Sequence, residues 1–485
     1  MAPDGNKLRQ RNAPAAATTQ QENNDPATTD RIATLKGLGK TEVCIDGGIY
    51  DIKDFNHPGA SRKDEAGWNR SRLHQRVRKA FLWCDDDDDD DDDDDEGADA
   101  DADADADEYI QPCDWYSTRL IYKFDTEFER EIKREVFKIV RRGRELGTWG
   151  WHIRAIFYVS LFFGLQYLWM TTPTTFALAI VYGVSQSLIG LNVQHDANHG
   201  AASKKPWVNN LYGLGADFIG GSKWLWMEQH WTHHSFTNHW AKDSDALGAE
   251  PMILFNDYEP NHPKRTTVHR FQALYFPIVL AGYWMSTVFN PQILDLNHAG
   301  SSEIGYSWEN AYIQKSRKYA IALRMLYIYC NIVAPFRTNG GFSVEVLAHI
   351  LVMGIAESLA LAALFALSHN FEDADRDPTY QARKTGEPVC WFKSQVETSS
   401  TYGGLVAGCL TGGLNFQVEH HLFPRMSSGW YPFIAPKVRE ICKKHGVKYA
   451  YYPYIWENLI STFKYLHQAG NATNWQDGNP YTGKN

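Results

Sequence analysis

Four apolar runs, residues 153–170, 176–191, 319–336 and 344–367, constrain this chain more than any other feature. Each is roughly long enough to cross the ~30 Å hydrocarbon layer of a bilayer. They come in pairs, with "TTPTT" reversing the chain inside the first pair and "RTNGG" inside the second. A further apolar stretch, residues 273–289, is ambiguous by composition, and a topological count decides it. If it crossed the bilayer, three crossings would place the histidine-rich segments before it and after it on opposite faces. With Pro277 and interfacial aromatics it reads instead as lying in the interface. The expectation is an all-α integral membrane protein: four transmembrane helices with both termini and every histidine cluster on one side. Basic residues within 133–144, just ahead of the first span, mark that side as cytosolic.

Outside the spans the composition shifts. The formal charge of −10 comes largely from one tract, aspartate from 85 to 95 followed by alternating Ala-Asp up to Asp107; without it the chain is basic. The Lys/Arg clusters sit beside apolar runs, so they read as flanks of membrane helices and not as a nucleic-acid interface. Seven cysteines with no CxxC pair argue against a disulfide framework or a zinc ribbon, and no apolar stretch near Met1 suggests a cleavable secretory signal. Residues 1–38 read as a disordered leader and 85–110 as an acidic low-complexity linker. "TEVCIDGGIYDIKDFNHPGA" alternates around a Gly-Gly turn and predicts a small β-hairpin. Phe128, Ile132, Val136, Ile139 and Val140 share one face of a basic helix, which predicts a helix lying on a membrane surface.

The polar chemistry is concentrated in three short segments. "HDANH" places His195 and His199 at i, i+4; "HWTHH" supplies His230, His233 and His234; "QVEHH" supplies Gln417, His420 and His421. Spacings of three and four bring side chains to adjacent edges of one helix, so one helix can serve two metal ions. Imidazole suits several transition metals, so ligand type alone does not choose among them. A lone histidine is more often a satisfied polar residue, the reading given to His152, His262, His269 and His298. Seven imidazoles exceed what one ion needs and fall short of filling two. His369 leaves the fourth span on the same face and can supply the deficit. His349 begins that span, twenty residues at 1.5 Å and so ~30 Å away, and is excluded. The carbonyl oxygen of Gln417 can occupy an imidazole's place.

These motifs, HxxxH at 195–199, HxxHH at 230–234 and QxxHH at 417–421, resemble the histidine boxes of membrane fatty-acyl desaturases. "VQHDANHG", "GADFIGGSKWLW", "QHWTHH", "FNPQILDL" and "GGLNFQVEHHLFPRMSS" extend the resemblance over a domain at 120–475. Glutamine in the third box together with a cytochrome b5-like leader resembles the front-end subgroup, most closely the delta-5 acyl desaturases of diatoms, with delta-6 as runner-up. "IDGGIYDIKDFNHPGA" is similar to the start of a cytochrome b5 domain, giving a partial, apparently disrupted α+β segment at 39–84. His57 would be one axial haem ligand; Ala60 replaces the usual glycine, and His74 is nearer than the second ligand should be. Either this haem domain is broken or residues 61–110 are a mistranslated or unspliced stretch, the reading favoured by the abrupt loss of pattern around the aspartate tract.

The resemblance implies two non-haem iron ions held by His195, His199, His230, His233, His234, His369, Gln417, His420 and His421. It also implies O2 and a fatty acyl lipid or acyl-CoA as substrates. Electrons would come from NADH-cytochrome b5 reductase through fused haem b or free cytochrome b5, in the endoplasmic reticulum membrane. Asp196, Glu419 and Glu397 either hydrogen-bond ligand imidazoles or solvate the surface. Aromatics in "GSKWLWMEQH" and the small residues of 401–413 either line the acyl path or pack helices closely, and Lys223 and Arg425 would meet a headgroup or CoA phosphate. A sphingoid-base desaturase, hydroxylase or acetylenase shares the boxes. A multi-histidine metal transporter is the rival from another class, disfavoured because the spans themselves hold almost no ligands.

Overall fold

The computed structural model describes residues 10–11, 42–45 and 48–51, and residues 122–471 apart from 240–242, 256–263, 291–310, 377 and 380–386. The chain divides into two compact units, Met1–Thr118 and Arg119–Asn485. In the first, strands Glu42–Ile45 and Gly48–Asp51 pair antiparallel with Val43 opposite Tyr50, and Gln10–Arg11 adds to the outer edge. This is the hairpin expected around Gly47 and Gly48. His57, His74 and the aspartate tract lie outside the described residues.

Among the described residues of the second unit, four helices are long and apolar enough to cross a membrane: Trp149–Thr171, Phe176–Asn198, Ser316–Thr338 and Val344–His369. Their starts follow local chemistry. The side-chain oxygens of Thr148, Thr175 and Ser343 accept the N–H of Trp151, Leu178 and Val346, capping the first, second and fourth spans. The two reversals meet at one end of the bundle, where Thr174 N–H donates to Asn339 Oδ1 at 3.2 Å. His349 is there too, 2.9 Å from Thr174 Oγ1, at the opposite end from His369. The ambiguous stretch folds as two short helices, Gln272–Ala281 and Tyr283–Val288, each far short of a bilayer's thickness.

The second and fourth spans cross at Gly183, where an added Cβ would stand 2.2 Å from the carbonyl oxygen of Met353. A larger side chain there must push apart the two helices that end on His195 and His369. Gly183→Val is therefore expected to cost on the order of 1–3 kcal/mol. It should lower the thermal midpoint in detergent, whereas Gly164→Ala, with open space around its Cβ, should not. Equal midpoints for the two variants would remove Gly183 from this role.

A cap closes the end of the bundle away from the reversals, with its own apolar core. Phe128, Ile132 and Val136 of helix Glu127–Ile139 pack there with Ile434, Val438 and Ile441 of helix Tyr431–Lys444 and with Val418 and Leu422. This corrects the membrane-surface reading of the first of these helices. The helix is amphipathic as expected, but protein covers Phe128, Ile132, Val136 and Val140 of that face and leaves Ile139 exposed. Two parallel strand pairs, Tyr122–Lys123 with Val389–Cys390 and Ser400–Tyr402 with Ala450–Tyr452, tie the cap's segments together.

Candidate metal centre

The second span does not reach its end as a regular α-helix. Residues Gly190–Gln194 form a π-turn, which delivers His195 and His199 at the mouth of the bundle with a rotation that an uninterrupted helix would not give. Helix Lys223–Ser235 brings in His230, His233 and His234, the fourth span ends on His369, and helix Gln417–Leu422 brings in Gln417, His420 and His421. All eight histidines and Gln417 are buried.

They sort into two groups. The ligating nitrogens of His195, His199, His230 and His420 lie within 4.8 Å of one another, and so do those of His233, His369 and His421. His234 stands beside the first group, its Nε2 3.2 Å from that of His230 and 2.9 Å from that of His420. Gln417 stands beside the second, its Nε2 3.1 Å from His369 Nε2. Each pair of adjacent histidines in a motif is thus divided between the groups, as spacings of three and four on one helix allow.

In five of the eight rings the outer nitrogen is occupied, which turns the other one inward. His233 Nδ1–H donates to Asp243 Oδ1 at 2.9 Å, His230 to Asp245 Oδ2 at 3.3 Å, and His369 to the carbonyl of Thr398 at 2.9 Å. His421 donates to Gln395 Oε1 at 2.8 Å. His420 Nδ1 lies 3.1 Å from the Tyr431 hydroxyl, which itself donates to Met426 O. With Nδ1 protonated, Nε2 carries only a lone pair. Between His233 and His369 the Nε2 atoms are 3.3 Å apart, a contact that either a second proton on His233 or a metal cation between the rings satisfies. Ligands bound at ~2.1 Å and at right angles would be about 3 Å apart, which is the spacing found here. The Nε2 atoms of His199 and His421 and the Oε1 of Gln417 are buried without any protein partner. A neutral, imidazole-rich donor set with converging unpartnered atoms fits two divalent transition-metal ions. The amide of Gln417 presents its nitrogen to His369; turning it over brings the orphaned oxygen to the same place.

The electrostatics agree with that fit. Burial, then repulsion among the rings, holds His199, His234, His420 and His421 well below the ordinary imidazole pKa, so they stay neutral. Burial also lowers His230, to about 4, although Asp245 opposes it. His233 differs: burial would lower it, but Asp243 and Asp245 overcome that and raise it to about 9. The field that favours a proton on His233 equally favours a metal cation at its Nε2.

Of the second-sphere residues expected from sequence, Asp196 stays beside a ligand, its Oδ1 3.9 Å from His195 Nδ1, while Glu419 and Glu397 are engaged elsewhere. Asp196 accepts the backbone N–H of Ser428, Glu419 accepts from Thr401 and Tyr449, and Glu397 is bound by Lys448 N and stands near Lys393. Residues adjacent along a helix point about 100° apart, and Glu419, next to His420 in sequence, turns to Thr401 and Tyr449 instead. Asp243, Asp245, Gln395 and Tyr431 join Asp196 beside the ligand rings, and the only sequence signal for the first two is "DSDA" just beyond the second motif. Lys223, offered for a headgroup, is buried with its ammonium on Asn210 Oδ1. Of the histidines set aside, His269 caps a turn and bonds to Pro251 O, far from the cluster in function. His152 packs on Trp151 and Tyr212. His262 and His298 lie outside the described residues.

Comparison with known proteins matches residues 168–453 to the sequence model of a family described as fatty acid desaturase. Acyl-lipid (7-3)-desaturase of Rebecca salina is 37% identical over 60% of this chain. The chloroplastic acyl-lipid (7-3)-desaturase of Chlamydomonas reinhardtii is 32% identical over 72% of this chain and 67% of its own length. Delta(5) fatty acid desaturase A of Dictyostelium discoideum is 26% identical over 75% of this chain and 76% of its own. The chain spans 63% of the length of the Rebecca salina relative.

Proposed function

The chain belongs to the fatty acid desaturase family, and from that premise we propose that it is an oxygen-dependent front-end desaturase of polyunsaturated acyl chains. The double bond goes in on the carboxyl side of existing ones, at delta-5 of C20 chains. The observation that carries this reading is the pair of imidazole groups at one mouth of a four-span bundle. Removing hydrogen from an unactivated methylene demands a stronger oxidant than any side chain, and two iron ions with O2 supply it when bound. His195, His199, His230, His234 and His420 would hold one ion, and His233, His369, His421 and Gln417 the other.

The chain's own residues do the positioning. Asp243, Asp245, Gln395, Thr398 and Tyr431 fix which nitrogen of His233, His230, His421, His369 and His420 carries the proton and so which one faces inward. Burial of all nine groups keeps water from the cluster, and the spans bring a membrane-borne acyl chain to the same end of the bundle. Electrons come from a cytochrome b5-type donor, either haem b held in part by His57 in a functional leader or a separate cytochrome b5 fed by NADH-dependent reductase. The protein works in the endoplasmic reticulum membrane with its cap and termini in the cytosol. A metal transporter is the weaker reading, because the metal-binding set sits at one end of the bundle and not at the midplane.

Regiochemistry is the finer part of the proposal, since the relatives' own names range over (7-3), (8-3), Delta(5) and 6-desaturation. Yeast expressing the full chain and fed C20 and C18 polyunsaturated acids separately decides it by gas chromatography with double-bond location. A new delta-5 bond in the C20 product is expected. A delta-6 bond in C18 alone transfers the assignment to the runner-up, and no new unsaturation with stoichiometric zinc removes the enzyme reading.

A further inference from the structure

Between the strand Ser400–Tyr402 and the third histidine motif lies a short helix, Gly404–Thr411, with the sequence GLVAGCLT. Ala407, Gly408 and Thr411 are buried, while Leu405, Val406 and Leu410 are 68%, 80% and 59% exposed, and Cys409 shares their face. An outward face of aliphatic side chains with no charge on it is unusual for a loop in water. Its surroundings are just as unusual. The last four carbonyls of a helix lack partners within the helix and in water are left to solvent. Here all four are met by protein. Gly408 O accepts from Gly413 N at 3.1 Å and Thr411 O from Leu414 N at 3.2 Å. Cys409 O accepts from the Tyr158 hydroxyl at 3.1 Å, and Leu410 O from Asn192 Nδ2 at 2.9 Å. Just beyond, Arg154 Nη2 donates to Gly412 O. Satisfaction of the carbonyl end inside the protein is what hydrocarbon demands of that end of a segment placed in it.

The donors also give a depth. Tyr158 lies nine residues into the first span and so about 14 Å from its start, and Asn192 is about 9 Å from the end of the second. Both distances fall within the ~15 Å half-thickness of a hydrocarbon core. The neighbouring face of the first span is exposed and apolar as well, with Ile153, Ile156 and Phe157 at 66%, 57% and 60%. Gly412 lets the helix sit this close, since a Cβ there would stand 2.3 Å from the carbonyl of Leu191.

We propose that Gly404–Thr411 is a re-entrant helix seated among the acyl chains of the leaflet on the histidine side, with Leu405, Val406 and Leu410 in contact with phospholipid tails. The inference rests on the reading of the four spans as membrane helices. It goes beyond the proposed reaction by naming membrane lipid as the neighbour of a segment only a few residues ahead of Gln417. The acyl phase of the bilayer then reaches down to the support of the third histidine motif, which is where a lipid-borne chain would leave the leaflet for the site.

The test uses the full chain in phosphatidylcholine vesicles with p-benzoyl-phenylalanine in place of Val406, Ile156 or Lys443, one position at a time, irradiated and read by mass spectrometry. A phosphatidylcholine adduct is expected at Val406 in yield similar to that at Ile156 and at least ~tenfold above that at the exposed cap residue Lys443. An Ile156 adduct with none at Val406, or a Val406 adduct to protein, overturns the inference while leaving the spans intact. Absence of lipid at Ile156 overturns the membrane reading along with it. Neither result depends on catalysis, so failure of the desaturase assignment would be seen separately.

Discussion

His421→Ala is expected to bring desaturation to background, a loss of at least ~10³-fold for a metal-dependent step, and to remove about one of two bound metal ions. The group to which His421 belongs has three imidazoles and one amide, so deleting one ring leaves too few donors for a stable site. Its Nε2 is one of the buried atoms with no protein partner, and its Nδ1 is held by Gln395, so no neighbouring ring can turn to replace it. His199→Ala, in the larger group, should abolish turnover while retaining more metal, because four rings remain around it. His349→Ala is the control: it sits at the far end of the bundle on Thr174 and should change neither metal content nor product. Metal analysis of the purified variants, alongside product analysis in yeast, checks this. Full metal content in His421→Ala would disprove the division into two groups.

The three motifs and the four spans were legible in the sequence because both rest on fixed geometry. Helical periodicity puts residues three and four apart on neighbouring edges, and span length places His369 near the cluster and His349 away from it. What the sequence hid depends on where chains turn after the motifs end. Asp243 and Asp245 reach His233 and His230 only because the chain after Ser235 folds back onto the same helix, and no spacing rule encodes that return. Gln395 and Tyr431 come from segments whose meeting with the third motif is set by the cap's core. The π-turn at Gly190–Gln194 leaves no compositional mark, although it sets the rotation of His195. The periodicity of Glu127–Ile139 predicts its amphipathicity, but a hydrophobic face does not say whether lipid or protein will cover it. The small-residue run at 401–413 shows the converse: half of it packs inward as close helix contact, and the other half faces out.

Asp243→Asn is expected to weaken metal binding by about 10–100-fold, the usual penalty for losing an outer partner of a metal-ligating histidine. The carboxylate is fully committed. One oxygen accepts His233 Nδ1–H together with the backbone N–H of Asp245 and Ala246, and the other accepts Asn238 N–H at 2.7 Å. An amide can keep the first oxygen but turns the second into a donor aimed at another donor. It also removes the negative charge that holds a cation at the far side of the ring. Because Asp243 also caps the turn Ser244–Leu247, loss of binding alone could reflect local unfolding. Asp243→Ser separates the two roles, since serine caps a helix nearly as well as aspartate but cannot reach the imidazole. Competition with a metal chelator should show both variants weakened, while the helical turn Ser244–Leu247 keeps its cap in Asp243→Ser, read as unchanged amide-exchange protection of Asp245 and Ala246 in the metal-free protein. Asp245→Asn should do less, because that carboxylate is 36% exposed and the charge it loses is partly replaced by water. Unchanged chelator competition in Asp243→Ser would assign Asp243 to the turn and leave His233 oriented by its packing against His369 and His421 alone.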